Sequence, residues 1–223
     1  MSKAMSAHLK RLMLLAVAVS SLTTMACGLW HRVDRDLLAT VPNDEKLLLF
    51  DAENGVYIAR DEMETAERRL QEAERALLRA RKYINVIDQR RDSGSGVDTP
   101  EVIQMLEEWN TIRIELRELE VDLADLSRDV AEARLWTARA EYERAKAKLV
   151  KDKNPEEGTS LDIESFDDQV KDRQEDEQEE FVGYQEKEAE VLKLRDQYNA
   201  LSLRLQEASR GAYGGPWADL VDE

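Results

Sequence analysis

From Leu49 to Ile87 apolar residues recur in a strict three–four alternation: Leu49, Ala52, Val56, Ala59, Met63, Ala66, Leu70, Ala73, Leu77, Ala80, Ile84 and Ile87. That spacing keeps side chains on one stripe of an α-helix, and a stripe sustained this long is the seam of a coiled coil. Every second position through the middle is alanine (Ala52, Ala59, Ala66, Ala73, Ala80). Small side chains let a neighbouring helix come close, so a leucine in their place is expected to force the helices apart. Asp92-Ser93-Gly94-Ser95-Gly96 ends the helix.

Thr99-Pro100-Glu101 opens a second helix, with a capping hydroxyl, proline at the first helical position and an acid in the first turn. Its seam runs Val102, Met105, Trp109, Ile112, Leu116, Leu119, Leu123, Leu126, Val130, Ala133, Thr137, Ala140, Arg144 and Ala147. Near its end a second stripe (Leu135, Ala138, Tyr142, Ala145, Leu149) lies on the adjacent face, as in a helix with two neighbours. Asn154-Pro155 and Gly158 stop it. A third helix starts near Ser160 and ends before Gly211. Its seam holds Ile163, Phe166 and Val170 at one end and Val191, Leu194, Tyr198, Leu201 and Leu205 at the other. Between them stand Arg173, Glu177, Glu180, Tyr184 and Lys187.

These signals predict an all-α chain with helices at about 45–92, 100–152 and 161–210, each roughly 70–80 Å long at 1.5 Å per residue. Short loops between equal helices imply an antiparallel, up-down-up, rod-like three-helix coiled-coil bundle over 44–210, followed by a tail at 211–223. Counting outward from the loops sets Asp176 level with Thr137 and Gly55, where no helix offers a large apolar residue. Little burial there predicts either local looseness or an acidic face left open for a basic partner. The residues of that face are Asp172, Glu175, Asp176, Glu179 and Glu180.

Charge supports the pairing. Residues 75–91 hold six bases and one acid, and residues 101–125 hold eight acids and two bases. At the second loop, residues 134–153 hold seven bases and three acids, and residues 161–180 two bases and ten acids. Each exposed pair contributes about 0.2–1 kcal/mol, so the pattern selects register more than it adds stability. Part of it is the ordinary preference of acids for helix starts and bases for helix ends.

The net charge of −16 argues against nucleic acid, whose phosphates need basic contacts. One cysteine excludes an internal disulfide, and His31 is the last histidine in the chain. A nucleophile with a histidine base and a histidine-rich metal site are therefore both out of reach. The run from Asp172 to Glu180 lacks the glycine turn of a calcium loop. No cofactor, metal, small-molecule substrate or catalytic residue is expected.

Residues 1–11 carry only positive charge, Leu12–Val19 is an uninterrupted apolar run, and small residues lead to Ala26-Cys27-Gly28. This is the layout of a secretory signal, too short in its apolar part to span a bilayer. With the sole cysteine directly after a small residue, the segment resembles the signal peptides of bacterial lipoproteins. The resemblance implies cleavage between Ala26 and Cys27, acylation of Cys27, and a mature chain more acidic still, since Lys3, Lys10 and Arg11 leave with residues 1–26. Gly28, in place of an aspartate that retains lipoproteins at the inner membrane, points by the same analogy to the outer membrane. Residues 27–43 would then be a lipidated cysteine and tether, with Trp30 and Leu37-Leu38 at the membrane interface.

The expected function is that of a non-catalytic scaffold or spacer in a cell-envelope assembly, anchored in the outer membrane and facing the periplasm. It would act through coiled-coil contacts with an envelope protein or with itself. The alternative is a binding module resembling the helical hairpins of periplasmic adaptors, docking on an outer-membrane, secretion or motility complex. The small β-domains that accompany those hairpins have no counterpart here.

Overall fold

A computed structural model describes residues 30–93, 96 and 98–214, and among these every regular element is helical. Residues 1–26, read from the sequence as a signal peptide, lie outside the described residues with Cys27 and Gly28. Trp30–Arg32, the described part of the first unit, have no regular structure, and Val33–Glu223 form a second unit. In it a short α1 (Arg35–Ala39) and a 3-10 turn (Glu45–Leu49) precede α2 (Phe50–Lys82) and α3 (Ile84–Ser93). Then come α4 (Pro100–Lys153), a 3-10 turn (Glu157–Ser160) and α5 (Ile163–Ala208).

Local chemistry accounts for the ends. Thr99 Oγ1 accepts the Val102 backbone N–H at 3.3 Å, and Pro100 follows without a donor to satisfy. At the far end Asn154 leaves helical geometry (φ −137°) and Pro155 cannot continue the ladder. The next turn folds tightly against α4. A Cβ on Gly158 would lie 2.7 Å from Lys151 Cα, so only glycine fits. Asp162 caps α5 by accepting the Glu164 N–H at 3.2 Å and the Ser165 hydroxyl at 2.6 Å, bonds to the charged form that hold its carboxyl below the usual range.

The seam predicted for 49–87 runs through a break. Tyr83 ends α2, and α3 restarts at Ile84 in a β-branched stretch of weaker helix formers. Ile84 turns outward as a result, while Ile87 is fully buried. Tyr83 packs edge-on against Trp109 (5.9 Å between centroids), which gives the break its partner.

Close packing between the long helices is confined to α2 with α4 and α4 with α5. Helix α4 is the common neighbour, buried along two faces. The predicted second stripe, with Leu135 and Leu149 buried, covers one part, and an unforeseen one with Ile103, Leu106, Asn110 and Arg113 covers the other. Pairs across the helices climb one partner and descend the other. Glu45 meets Lys153 at 2.8 Å, Glu62 meets Arg134 at 3.5 Å, Arg81 meets Glu118 at 2.7 Å, and Arg91 meets Glu107. Between α4 and α5 the pairs are Lys148–Asp167 at 3.1 Å, Arg134–Glu177 at 3.1 Å and Glu120–Arg195 at 2.7 Å.

Buried apolar residues gather at the two ends. One core joins Ile87, Leu106, Trp109, Leu116, Val191, Tyr198, Leu201 and Leu205 with Tyr213. The other joins Val33, Val41, Leu49, Leu149, Val150 and Phe166. Residues 33–43 are thus no loose tether. Val33 N–H donates to Glu143 Oε2 at 3.0 Å, and Leu37 and Leu38 rest half-buried on this core instead of standing free for a membrane. The stretch read as a tail, described to Gly214, also packs. Arg210, Gly211 and Gly214 take positive φ (54°, 83°, 73°), and the chain hooks back so that the Tyr213 N–H donates to Ser209 Oγ at 3.0 Å. Tyr213 exchanges further hydrogen bonds with Asp98 and with Arg90 Nη1, 2.5 Å away.

Candidate functional site

Between the two cores the molecule thins. No residue of α5 from 171 to 190 is buried, because Arg173, Glu177, Glu180 and Lys187 occupy its inward positions. The helix stays near α4 nonetheless: Thr137 Oγ1 donates to the Arg173 carbonyl at 3.1 Å. That contact lies about one turn from the level counted for Asp176, and Gly55 and Thr137 share the lining of one hollow.

Small residues meet here from two helices. Ala59 and Ala66 of α2 are buried, as are Ala131 and Ala140 of α4. The α4 residues that meet the alanines are thus small as well, and α5 leaves the space beside them open. What remains is a groove of about 530 Å³. Ala66, Val130 and Ala131 make its floor, Ile58 and Arg69 one wall, and Phe181 and Tyr184 the other. A second hollow of about 400 Å³ shares Ile58, Glu62 and Arg134 with it.

Arg134 forms a crossbar between the two hollows. It rises from α4 and reaches Glu62 on α2 at 3.5 Å and Glu177 on α5 at 3.1 Å. The two ion pairs link α2 and α5 through α4. Sequence reading missed this bridge, although its signal was present: an arginine on the middle helix, Glu177 within the seam of one neighbour and Glu62 beside the seam residue Met63 of the other.

The five predicted carboxylates do not share one face. Asp172, Glu175 and Glu179 point outward with Asp176 beside them, where Lys171 lies 3.7 Å from Glu175 and Arg173 lies 2.8 Å from Asp176. Glu180 turns toward α4. Burial raises its carboxyl pKa first, and Asp129, Glu179 and Asp176 add to the rise. Acids from two helices therefore crowd around Glu180. On the α5 wall of the groove, burial chiefly pushes the Tyr184 phenol up, Glu188 adds to this, and Arg69 across the groove opposes it.

Away from the groove, Arg113 is 3 % exposed, its guanidinium 5.1 Å from the Trp109 ring and 5.4 Å from that of Tyr83. Among the described residues no cluster of His, Cys, Asp and Glu is placed to hold a metal ion, and no helix is long and apolar enough to cross a membrane. No family model, curated protein or solved structure matches the chain.

Proposed function

We propose that this protein is a lipid-anchored, non-catalytic scaffold of the bacterial cell envelope. Acyl chains on Cys27 hold it to the outer membrane, and the unit from Val33 onward is an antiparallel, up-down-up three-helix strut in the periplasm. The observation that carries this reading is α4: 54 uninterrupted residues, about 80 Å at 1.5 Å per residue, with a helix laid along each of two faces. The opposed climb of the cross-helix pairs supports the antiparallel order. A chain built this way offers length, two ends and lateral surfaces, which are what a spacer uses. Two or three acyl chains, at about 0.8 kcal/mol per buried methylene, suffice to keep such a strut on a bilayer.

Expression of the full chain and its Cys27→Ser variant in a bacterium with two membranes tests the anchor. Wild-type protein should fractionate with the outer membrane and carry acyl mass on its N-terminal cysteine. The variant should be unprocessed or soluble. Outer-membrane fractionation of Cys27→Ser would overturn the reading.

A further inference from the structure

The start of α2 carries apolar side chains that the bundle does not cover. Leu49 plugs the core that it shares with Val33 and Phe166, but Leu47, Leu48 and Phe50 around it are 73 %, 67 % and 65 % exposed. Leu47 and Phe50 stand three residues apart at a 3-10 turn, which stacks them on one side. Tyr57, also exposed, lies two helical turns beyond Phe50 on the same line. Scattered apolar residues on a surface are ordinary, whereas a contiguous group marks a surface that something covers.

The lengths of chain on either side limit what can reach it. Tyr57 lies close to Tyr142 of α4, where burial chiefly raises the phenol pKa and Glu53, Glu143 and Tyr57 add to the rise. Glu143 is also the residue that accepts the Val33 N–H. The chain is thus fixed to α4 level with the stripe, and the six residues from Cys27 to Val33 span at most about 20 Å. A bilayer that holds acyl chains on Cys27 lies within that reach. The other terminus does not. Tyr213 packs in the opposite core beside Asp98, and the nine residues after Gly214 extend at most about 30 Å, against about 65 Å of α4 between Pro100 and Glu143. A second copy would set the net charge of −16 against itself.

We propose that the stripe at the start of α2 rests on the surface of the bilayer that holds the anchor, with Leu47, Leu48 and Phe50 in the headgroup region and Tyr57 at its edge. This rests on the acylation of Cys27 and deepens that reading, because a second point of contact orients the strut that a lipid alone would leave free to swivel. Partial burial makes the contact weak by itself, and the anchor makes it persist by keeping the bilayer close. Asp44 and Asp51 flank the patch, so the contact is apolar and does not depend on anionic lipid.

Cys27 is the chain's only cysteine, so once it is acylated a new one can be labelled alone. The full chain carrying Leu48→Cys is expressed, its acyl chains are confirmed by mass, and it is labelled with an environment-sensitive fluorophore. The vesicles are phosphatidylethanolamine with a minor share of phosphatidylglycerol. On reconstitution the label should shift to the blue, and nitroxide-bearing lipid should quench it at least about twofold more than labels at Glu164→Cys or Glu101→Cys. Glu164 is exposed at the same end on α5, and Glu101 is exposed at the other end. Adding Leu47→Asp and Phe50→Asp, both at exposed positions, should return the Leu48→Cys label to water without loss of acyl mass. Unchanged helical circular dichroism confirms that each variant folds. Equal quenching at all three labels, or a Leu48→Cys label that stays in water on an acylated chain, would overturn the proposal and leave the anchor standing. Quenching that survives the two aspartates would overturn it in favour of mere proximity, and a blue shift without lipid quenching in favour of a second copy over the patch. A chain without acyl mass would overturn the anchor and this contact together, since nothing would then hold the bilayer within reach.

Discussion

The alanine column of α2 meets two different surroundings, and one substitution made twice distinguishes them. Ala80 is fully enclosed, whereas Ala66, 4 % exposed, forms part of the groove floor. A leucine adds three carbons, each able to contribute about 0.8 kcal/mol when buried. At Ala80 there is no room for them, so Ala80→Leu should destabilise by about 1–3 kcal/mol through overpacking. At Ala66 the new side chain extends into about 530 Å³ of open groove. Half-burial there returns about 1 kcal/mol and offsets most of the local strain. The general penalty expected from the sequence for every alanine in the column therefore narrows to the enclosed ones. Urea unfolding followed by far-ultraviolet circular dichroism reads the difference, provided both variants keep the wild-type m-value. Melting temperatures should separate by about 4–8 °C, the equivalent of about 2 kcal/mol in a chain of this size. Equal destabilisation of both variants would mean that the groove is closed at Ala66. Equal indifference would mean that this face of α2 does not pack on α4.

Amide exchange should open residues 171–190 of α5 well before residues 102–116 of α4, since the first stretch buries no side chain and the second lies in a core; uniform protection along α5 would contradict the thinned middle. Glu180 has a folded-state pKa above its unfolded one, so the folded state binds the extra proton and stability falls as pH rises through that window. Glu180→Gln should accordingly raise the melting temperature at neutral pH and leave it nearly unchanged in acid, and a loss at neutral pH would refute the crowding. Tyr213→Phe removes the hydroxyl that joins Asp98 and Arg90, and should cost about 1–2 kcal/mol in the urea assay; no loss would mean that the hook is not held by these bonds. Asn110 is 1 % exposed with no hydrogen-bond partner for Oδ1, so Asn110→Leu should be neutral or stabilising, and a loss above about 1 kcal/mol would show that the amide is satisfied.

The helical class was legible because period and punctuation agreed. The seam at Leu49–Ile87 has the helical repeat, and Thr99-Pro100 and Asn154-Pro155 stand where the chain turns. Arg81 with Glu118 and Lys148 with Asp167 are members of the charge blocks that the sequence set against each other. Other features depend on how many neighbours a stripe has, and a heptad pattern does not say. It shows Ala59 and Ala66 as small, not that Ala131 and Ala140 are small opposite them, nor that α5 leaves the space open. The break at Tyr83 rests on Trp109, twenty-six positions away in the chain, and no local propensity signals it. Leu37, Leu38 and Tyr213 lie outside any periodic segment, so their burial came only with the structure. The acidic run was visible as composition. Its division into outward carboxylates and an inward Glu180 follows from the phase of α5 against α4.

The positions of the two cores along the chain set an order of events during synthesis. A polypeptide emerges N-terminal end first, and a cluster closes once its last member is out. The core holding Val33, Val41, Leu49 and Leu149 is complete at Phe166. The other waits for Val191, Tyr198, Leu201, Leu205 and finally Tyr213, whose bonds to Asp98 and Arg90 tie it to α3 and the turn after it, made more than a hundred residues earlier. Until then Trp109, Leu106 and Ile87 are bare. The chain thus ripens from one end to the other, and a nascent form released early would carry one finished end and one adhesive end, the substrate that holding chaperones recognise.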